Sequence, residues 1–304
     1  MELLDDPGGT AYRGPLGHDR QSPGQPDRRT VRSRDLIALL DDTEAHGGVR
    51  VVVFRSGDSD FFIPHVDLER IAEYTAVAAT SGGPDDSSLG TLFRRLSEAC
   101  PVTIAVLEGR ARGAGAELLY SCDMRFASAE RALIGQLEVG TGVFPGTGVF
   151  PGTGVFPGVG VFPGVGVFPG VGVFPGVGAV QQLVRLAGRG QAMRVILGSE
   201  NLDAREAERI GVVNKALPEE ELISYVERLA ERIAGFPEAA VRLAKRRINA
   251  AGLPPKKDVQ VDAAQFQVLA RDPAGAARVG ALMRRGLQKR SHAEFEYGVV
   301  LREL

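Results

Sequence analysis

An α/β fold, with a mixed sheet core laid down first and a helical region after it, is what this 304-residue chain predicts from three features. Residues 49–54 (VRVVVF) and 102–109 (VTIAVLEG) are apolar runs rich in β-branched residues, the pattern of strands covered on both faces. Residues 102–121 pass from such a run through a glycine-rich turn into a helical stretch. From residue 179 onward apolar residues recur at helical spacing in segment after segment, so strands dominate early and helices late.

Composition narrows the function classes. The chain is 44% hydrophobic and 24% charged, which suits one large domain or two small ones. A net charge of -2 leaves no electrostatic footprint for nucleic acid or an anionic membrane, so neither is expected as a partner. Cys100 and Cys122, and His18, His46, His65 and His292, are too scattered for a metal motif, so no metal is expected. The sparse cysteines suit a reducing, cytoplasmic setting. The opening MELLDDPGG has neither the basic nor the apolar region of a secretory signal.

Taken in order, residues 1–30 are rich in Gly, Pro, Asp and Arg without periodicity and read as disordered. Ser33 is placed to cap a helix with Leu36, Ile37 and Leu40 on one face, ending near Gly47. After the first strand, RSGDSDFFIPHVDL is a loop leading to a helical stretch, and TSGGPDDSSLG (80–90) is a flexible loop. Leu92, Phe93, Leu96 and Ala99 mark an amphipathic helix that stops at Pro101. Residues 123–128 and 132–139 are short extended pieces. Helical spacing returns at 179–188; Asp203 is placed to cap the next helix; residues 218–235 are amphipathic through Leu222, Val226, Leu229 and Ile233. The expected division is a disordered 1–30, a core at 31–217 and a C-terminal helical subdomain at 218–304. The helices within 218–235 and 258–290 carry more apolar surface than one subunit is expected to cover.

A hexapeptide written six times, Val143 to Gly178, interrupts this pattern, with Phe at 144, 150, 156, 162, 168 and 174. Its Pro and Gly every six residues exclude a membrane helix. Pro-Gly favours type II turns, and ordering so much glycine is entropically costly. The whole stretch 142–178 reads as an inserted loop.

The segment that carries chemistry is 102–140. Small residues at 113–116 let a ligand approach the backbone, and the helix start that follows offers unpaired N–H groups and a positive dipole end, able to hold a developing oxyanion. Glu117 falls in the first helical turn, and Glu138 lies 21 residues on, at the end of an extended piece. Two carboxylates converging beside an oxyanion site could share one water as base and acid. Each feature also has a purely structural reading: a turn, and a carboxylate that stabilises a helix dipole.

The order of these features resembles the crotonase (enoyl-CoA hydratase/isomerase) family. GAGAEL, SCDMRFA and GQLEVGTGVFPG follow its glycine-rich turn, its E-L…CD and its GQPE-x-G-x-G-x-x-PG; FFIPHVDL (61–68) is similar to its F-x-A-G-x-D-L loop. The match extends over roughly residues 33–250. The resemblance implies a spiral of ββα units with a C-terminal helical trimerisation region, an acyl-CoA thioester substrate, no cofactor beyond the coenzyme A of that substrate, and a homotrimer or hexamer. It implies backbone N–H donors at Val66 and Ala114 and catalytic Glu117 and Glu138; Asp67, Gly113 and Gly115 are expected substrate contacts, and His65 is expected either to contact the acyl-CoA or to pack within the loop. Pro64 and His65 stand where the family has Ala-Gly, and the family's opening strands are not recognisable in residues 1–32, which would leave an edge strand unpaired. The repeat unit matches the family's single G-x-x-PG, so five added units would account for the insertion. The function expected is hydration of a 2-enoyl-CoA; the alternatives are another crotonase-type reaction (isomerase or thioester hydrolase) or a degenerate paralogue that binds a partner or self-associates.

Overall fold

The computed structural model describes residues 11–15, 33–46, 48–65, 89–142, 178–269 and 272–304. Two sheets form the frame. The larger is wholly parallel, in the order β1 (Ala11–Pro15), β2 (Val51–Arg55), β4 (Val102–Leu107), β6 (Met124–Ser128), β9 (Lys215–Leu217). The smaller runs β3 (Phe61–Ile63), β5 (Arg110–Arg112), β7 (Leu133–Gly135), β8 (Asn201–Asp203), and only its β7–β8 pair is antiparallel. Consecutive strands from β2 to β7 alternate between the sheets, so the chain winds as a spiral of strand pairs. The α/β expectation, with parallel sheets and many helices, holds.

Both faces of the large sheet are covered, which is why its strands read as unbroken apolar runs. Val102, Ile104 and Val106 of β4 face a cluster with Leu222, Val226, Ala230 and Ala234 of α8 (Glu219–Ala234). Ala105 and Leu107, one residue out of phase, face the main core with Leu36 and Leu40 of α1 (Ser33–His46) and Leu92 and Leu96 of α2 (Leu89–Glu98). Each fully buried leucine here contributes roughly 1.5–3 kcal/mol. Three expectations change. Residues 11–15 are not disordered: they form β1, in parallel register with Val51–Arg55, so β2 is not an unpaired edge. AYRGP has little strand propensity, and pairing overrides it; Pro15 is tolerated because β1 is the edge strand. The apolar face of 218–235 is covered within the chain. Leu89 and Gly90, read as loop, begin α2.

The remaining helices are α3 (Ala114–Ser121), α4 (Glu138–Thr141), α5 (Ala179–Ala187), α6 (Arg189–Gly198), α7 (Ala204–Arg209), α9 (Glu238–Gly252), α10 (Lys256–Leu269), α11 (Pro273–Arg284), α12 (His292–Phe295) and α13 (Tyr297–Arg302). Asp203 caps α7, its carboxylate accepting the Glu206 N–H at 2.8 Å. The C-terminal helices are bound to the core: Lys245 donates to the Pro101 carbonyl at 2.6 Å and Asn249 to that of Ser97 at 2.8 Å. A third cluster joins Leu137, just before α4, to Leu282, Leu287, Ala293, Tyr297 and Val300. No helix among the described residues is long and apolar enough to cross a membrane.

Candidate active site

The site forms where α3 leaves the small sheet. Gly113 has φ 49° and ψ -125°, a conformation open to glycine and strained for other residues, and it lets β5 turn sharply into α3. Helix geometry leaves the first N–H groups, Ala114 among them, without intrahelical acceptors; the first α-helical bond of this turn runs from Glu117 N–H to the Gly113 carbonyl, 2.9 Å. Gly115 answers a different need. A methyl there would overlap the Ile63 carbonyl, so this glycine lets α3 press against β3, and the small-residue signal at 113–116 serves strand packing as well as any ligand.

Glu117 and Glu138 are both buried, 1% and 4% exposed, which is costly for carboxylates without a task or a partner. Glu138 opens α4 rather than closing a strand. Its carboxylate lies over the Gly113 turn: a Cβ on Gly113 would sit 2.9 Å from Glu138 Oε1 and 3.8 Å from the His65 Cβ. Glu138 Oε2 has no hydrogen-bond partner among the described residues. Burial raises the Glu138 pKa to about 7, against the opposing pull of backbone hydrogen bonds and of the nearby His65 charge. Tyr120, one turn beyond Glu117, is within electrostatic reach of both carboxylates and is approached by Gln136; burial pushes its hydroxyl pKa upward. The short α4 is fixed from outside, with Gly140 N–H donating to Ser199 Oγ (2.8 Å) and Arg278 Nε to the Gly140 carbonyl (2.9 Å).

His65 is buried among polar partners rather than open to a large ligand. Its Nε2 lies 3.0 Å from Glu294 Oε2 and its Nδ1 3.3 Å from Gln288 Nε2. Burial alone would raise the Glu294 pKa, but His65, the Gln288 N–H (2.8 Å) and Arg112 together bring it down to about 2. Arg112, 1% exposed, donates to the Glu294 carbonyl (2.6 Å) and the Phe295 carbonyl (3.2 Å), and burial lowers its pKa to about 10. Tyr297 donates to the Leu137 carbonyl at 3.1 Å. Of the residues proposed from sequence, His65, Gly113, Ala114, Gly115, Glu117 and Glu138 come together around one turn. Val66 and Asp67 lie outside the described residues, as does the repeat from Val143 to Val177. Arg112, Tyr120, Gln288, Glu294 and Tyr297 had no signal in the local sequence beyond an arginine next to the glycine-rich turn and a tyrosine one turn from Glu117.

The two-sheet spiral, with two buried glutamates beside the start of α3, agrees with the motif order that resembles the crotonase class. Comparison with known proteins places the chain within it: it belongs to the enoyl-CoA hydratase/isomerase family, whose pattern it matches over residues 30–153 and 167–273. It is 30% identical over 221 residues to a short-chain-enoyl-CoA hydratase of Clostridium acetobutylicum, covering 72% of this chain and 70% of that one. It is 32% identical over 218 residues to a crotonyl-CoA hydratase of Syntrophomonas wolfei, covering 71% and 69%. Among solved structures, a Streptomyces avermitilis protein provisionally named an enoyl-CoA hydratase superposes with a TM-score of 0.79 at 44% identity over 93% of this chain and 91% of that one.

Proposed function

We propose that the protein hydrates a 2-enoyl-CoA. The observation that carries this reading is the pair of buried carboxylates, Glu117 and Glu138, beside the N-terminus of α3. In the reaction, water adds its oxygen to the β-carbon and a proton to the α-carbon. Electron density moves onto the thioester oxygen in between, and backbone N–H groups stabilise that enolate, with Ala114 as one donor and Val66 as the expected second. Glu117 takes the proton from the attacking water. Glu138, whose pKa burial raises to about 7, keeps a substantial protonated fraction at neutral pH and in that form delivers its proton to the α-carbon. Incubation with crotonyl-CoA should bleach the absorbance of the conjugated thioester; purified protein that leaves it unchanged overturns the reading.

The assembly we propose is a trimer or a dimer of trimers. It is supported by apolar side chains left exposed on the described surface, Leu243 at 54% and Ile248 at 69% on α9 and Leu197 at 63% on α6. Sedimentation should show an oligomer at micromolar concentration, and a stable monomer counts against it. We read the repeat as an expansion of one native turn. The family match stops at 153 and resumes at 167, inside the repeat.

A further inference from the structure

The exit of β3 at His65 and two turns that carry site residues are each tied to one stretch of the C-terminal region, Gln288–Tyr297. His65, which leads out of β3, bonds Glu294 and Gln288. Arg112, which precedes the Gly113–Ala114 turn, bonds the carbonyls of Glu294 and Phe295. Leu137, which precedes Glu138, accepts from Tyr297. Arg290 in the same stretch reaches the β2–β3 turn, donating to Asp58 and Asp60 at 2.7–2.9 Å. Glu294 is the centre of this arrangement: it is 1% exposed, and its Oε2 accepts from both the His65 ring and the Gln288 N–H.

We infer that Glu294 is a positioning residue for the reaction, acting through His65 to fix the geometry and charge around Glu138. The inference rests on the hydratase reading above. An isolated carboxylate this deeply buried would be costly, and breaking such a pair leaves an uncompensated charge, so the pair ties the C-terminal stretch firmly to the site. The His65 end of the pair faces Glu138 across the Gly113 turn, where its charge works against the rise that burial imposes on Glu138. The other ionisable groups around the cluster are Arg110 and Arg112 from β5, Tyr120 from α4's neighbour α3, Arg278 from α11, and Glu296 and Tyr297 at the start of α13; Glu117 reaches it through Tyr120.

The test compares Glu294→Gln, His65→Gln and the double variant with the unaltered protein, using crotonyl-CoA hydration across pH and the thermal transition as a control for folding. Glu294→Gln should lower kcat by about 10- to 100-fold while KM stays within about threefold, the signature of lost geometry rather than lost binding. The limb of the pH profile that reports Glu138 should move, because the His65 ring beside the Gly113 turn loses the carboxylate that fixes it there. The double variant should be no worse than either single one, since both break one pair. Unchanged kcat and profile in a folded Glu294→Gln overturns the inference, and so do additive losses in the double variant. If Glu294→Gln does not fold, His65→Gln decides by the same criteria. Acetoacetyl-CoA provides a second readout, because its enolate band needs charge stabilisation at the thioester but no attacking water. An unaltered protein that gives the band without hydrating crotonyl-CoA removes the hydratase reading, and Glu294 is then judged by whether Glu294→Gln weakens the band. Failure of both readouts in the unaltered protein removes both ideas.

Discussion

The turn at Gly113 and the C-terminal stretch Gln288–Tyr297 hold the same site, yet they are encoded in opposite ways. The turn is local. Strand, glycine, helix start and Glu117 lie within 16 residues, from Val102 to Glu117, and each leaves its mark on neighbouring sequence. The C-terminal stretch acts at long range, with Glu294 meeting His65 across 229 residues and Tyr297 meeting Leu137 across 160. Groups that react must sit on a rigid, compact motif; groups that hold them need only be brought there by the fold, and any surface element can supply them. The comparison predicts that changes at the turn cost most and changes in the clamp less.

The largest effect is therefore expected at the carboxylates. Glu117→Gln and Glu138→Gln should each lower the hydration rate by about a hundredfold or more, as general acid–base groups do. Full activity in either variant would remove the two-carboxylate mechanism. The same substitution should move stability the other way. The folded-state pKa of Glu138, about 7, lies above its ordinary value of 4.5. Its contribution to stability is thus fully present below about pH 4.5 and is lost as pH rises through 7. Glu138→Gln removes that loss, so above pH 7 the variant should be more stable by about 3 kcal/mol. Melting at pH 4 and pH 8 checks this: the gain should appear at pH 8 and nearly vanish at pH 4. A gain that ignores pH would mean that burial does not strain this carboxylate.

The clamp should respond more mildly. Tyr297→Phe removes one buried hydrogen bond to the Leu137 carbonyl, which keeps its second donor, the Thr141 N–H at 3.1 Å. A loss of about 1 kcal/mol is expected, with a fall in rate of only a few fold. Denaturant melts and initial rates test it together. A loss of rate as large as that of the glutamate variants would erase the distinction between reacting and holding groups.

Legibility in the sequence follows the same division. The strands at 51–55 and 102–107 and the helix with Leu222 and Val226 could be read because burial on a sheet or a helix imposes a period. Asp203 could be read because a cap bonds three residues ahead. β1 could not, since AYRGP gains its strand geometry from Val51–Arg55 and has no period of its own. Glu117 and Glu138 were visible by their place in an ordered motif. The roles of Arg112 and Glu294 were not, because an arginine in a strand and a glutamate in a short helix are ordinary until the fold buries them together at 1% exposure each.

The smallest effect is expected from the feature that stands out most in the sequence. The repeat departs after Gly142 and the described chain resumes at Gly178, both glycines at positive φ, 91° and 80°. The described anchors of α4 lie outside the repeat. Ser199 and Arg278 hold Gly140, Tyr297 holds Leu137, and the Thr141 hydroxyl closes onto the Glu138 carbonyl at 2.6 Å. Excising Gly148–Val177 would leave one unit between Gly142 and Gly178 and remove none of these bonds. Loop closure changes by only on the order of 1 kcal/mol for that change in length, in favour of the shorter chain. The excised protein should melt at the same temperature or slightly higher, hydrate crotonyl-CoA at least as fast, and aggregate less on warming because five of the six repeat phenylalanines are gone. An excised chain that unfolds, or that loses an activity the full chain has, would give the repeat a packed role at the site equal to that of the C-terminal stretch.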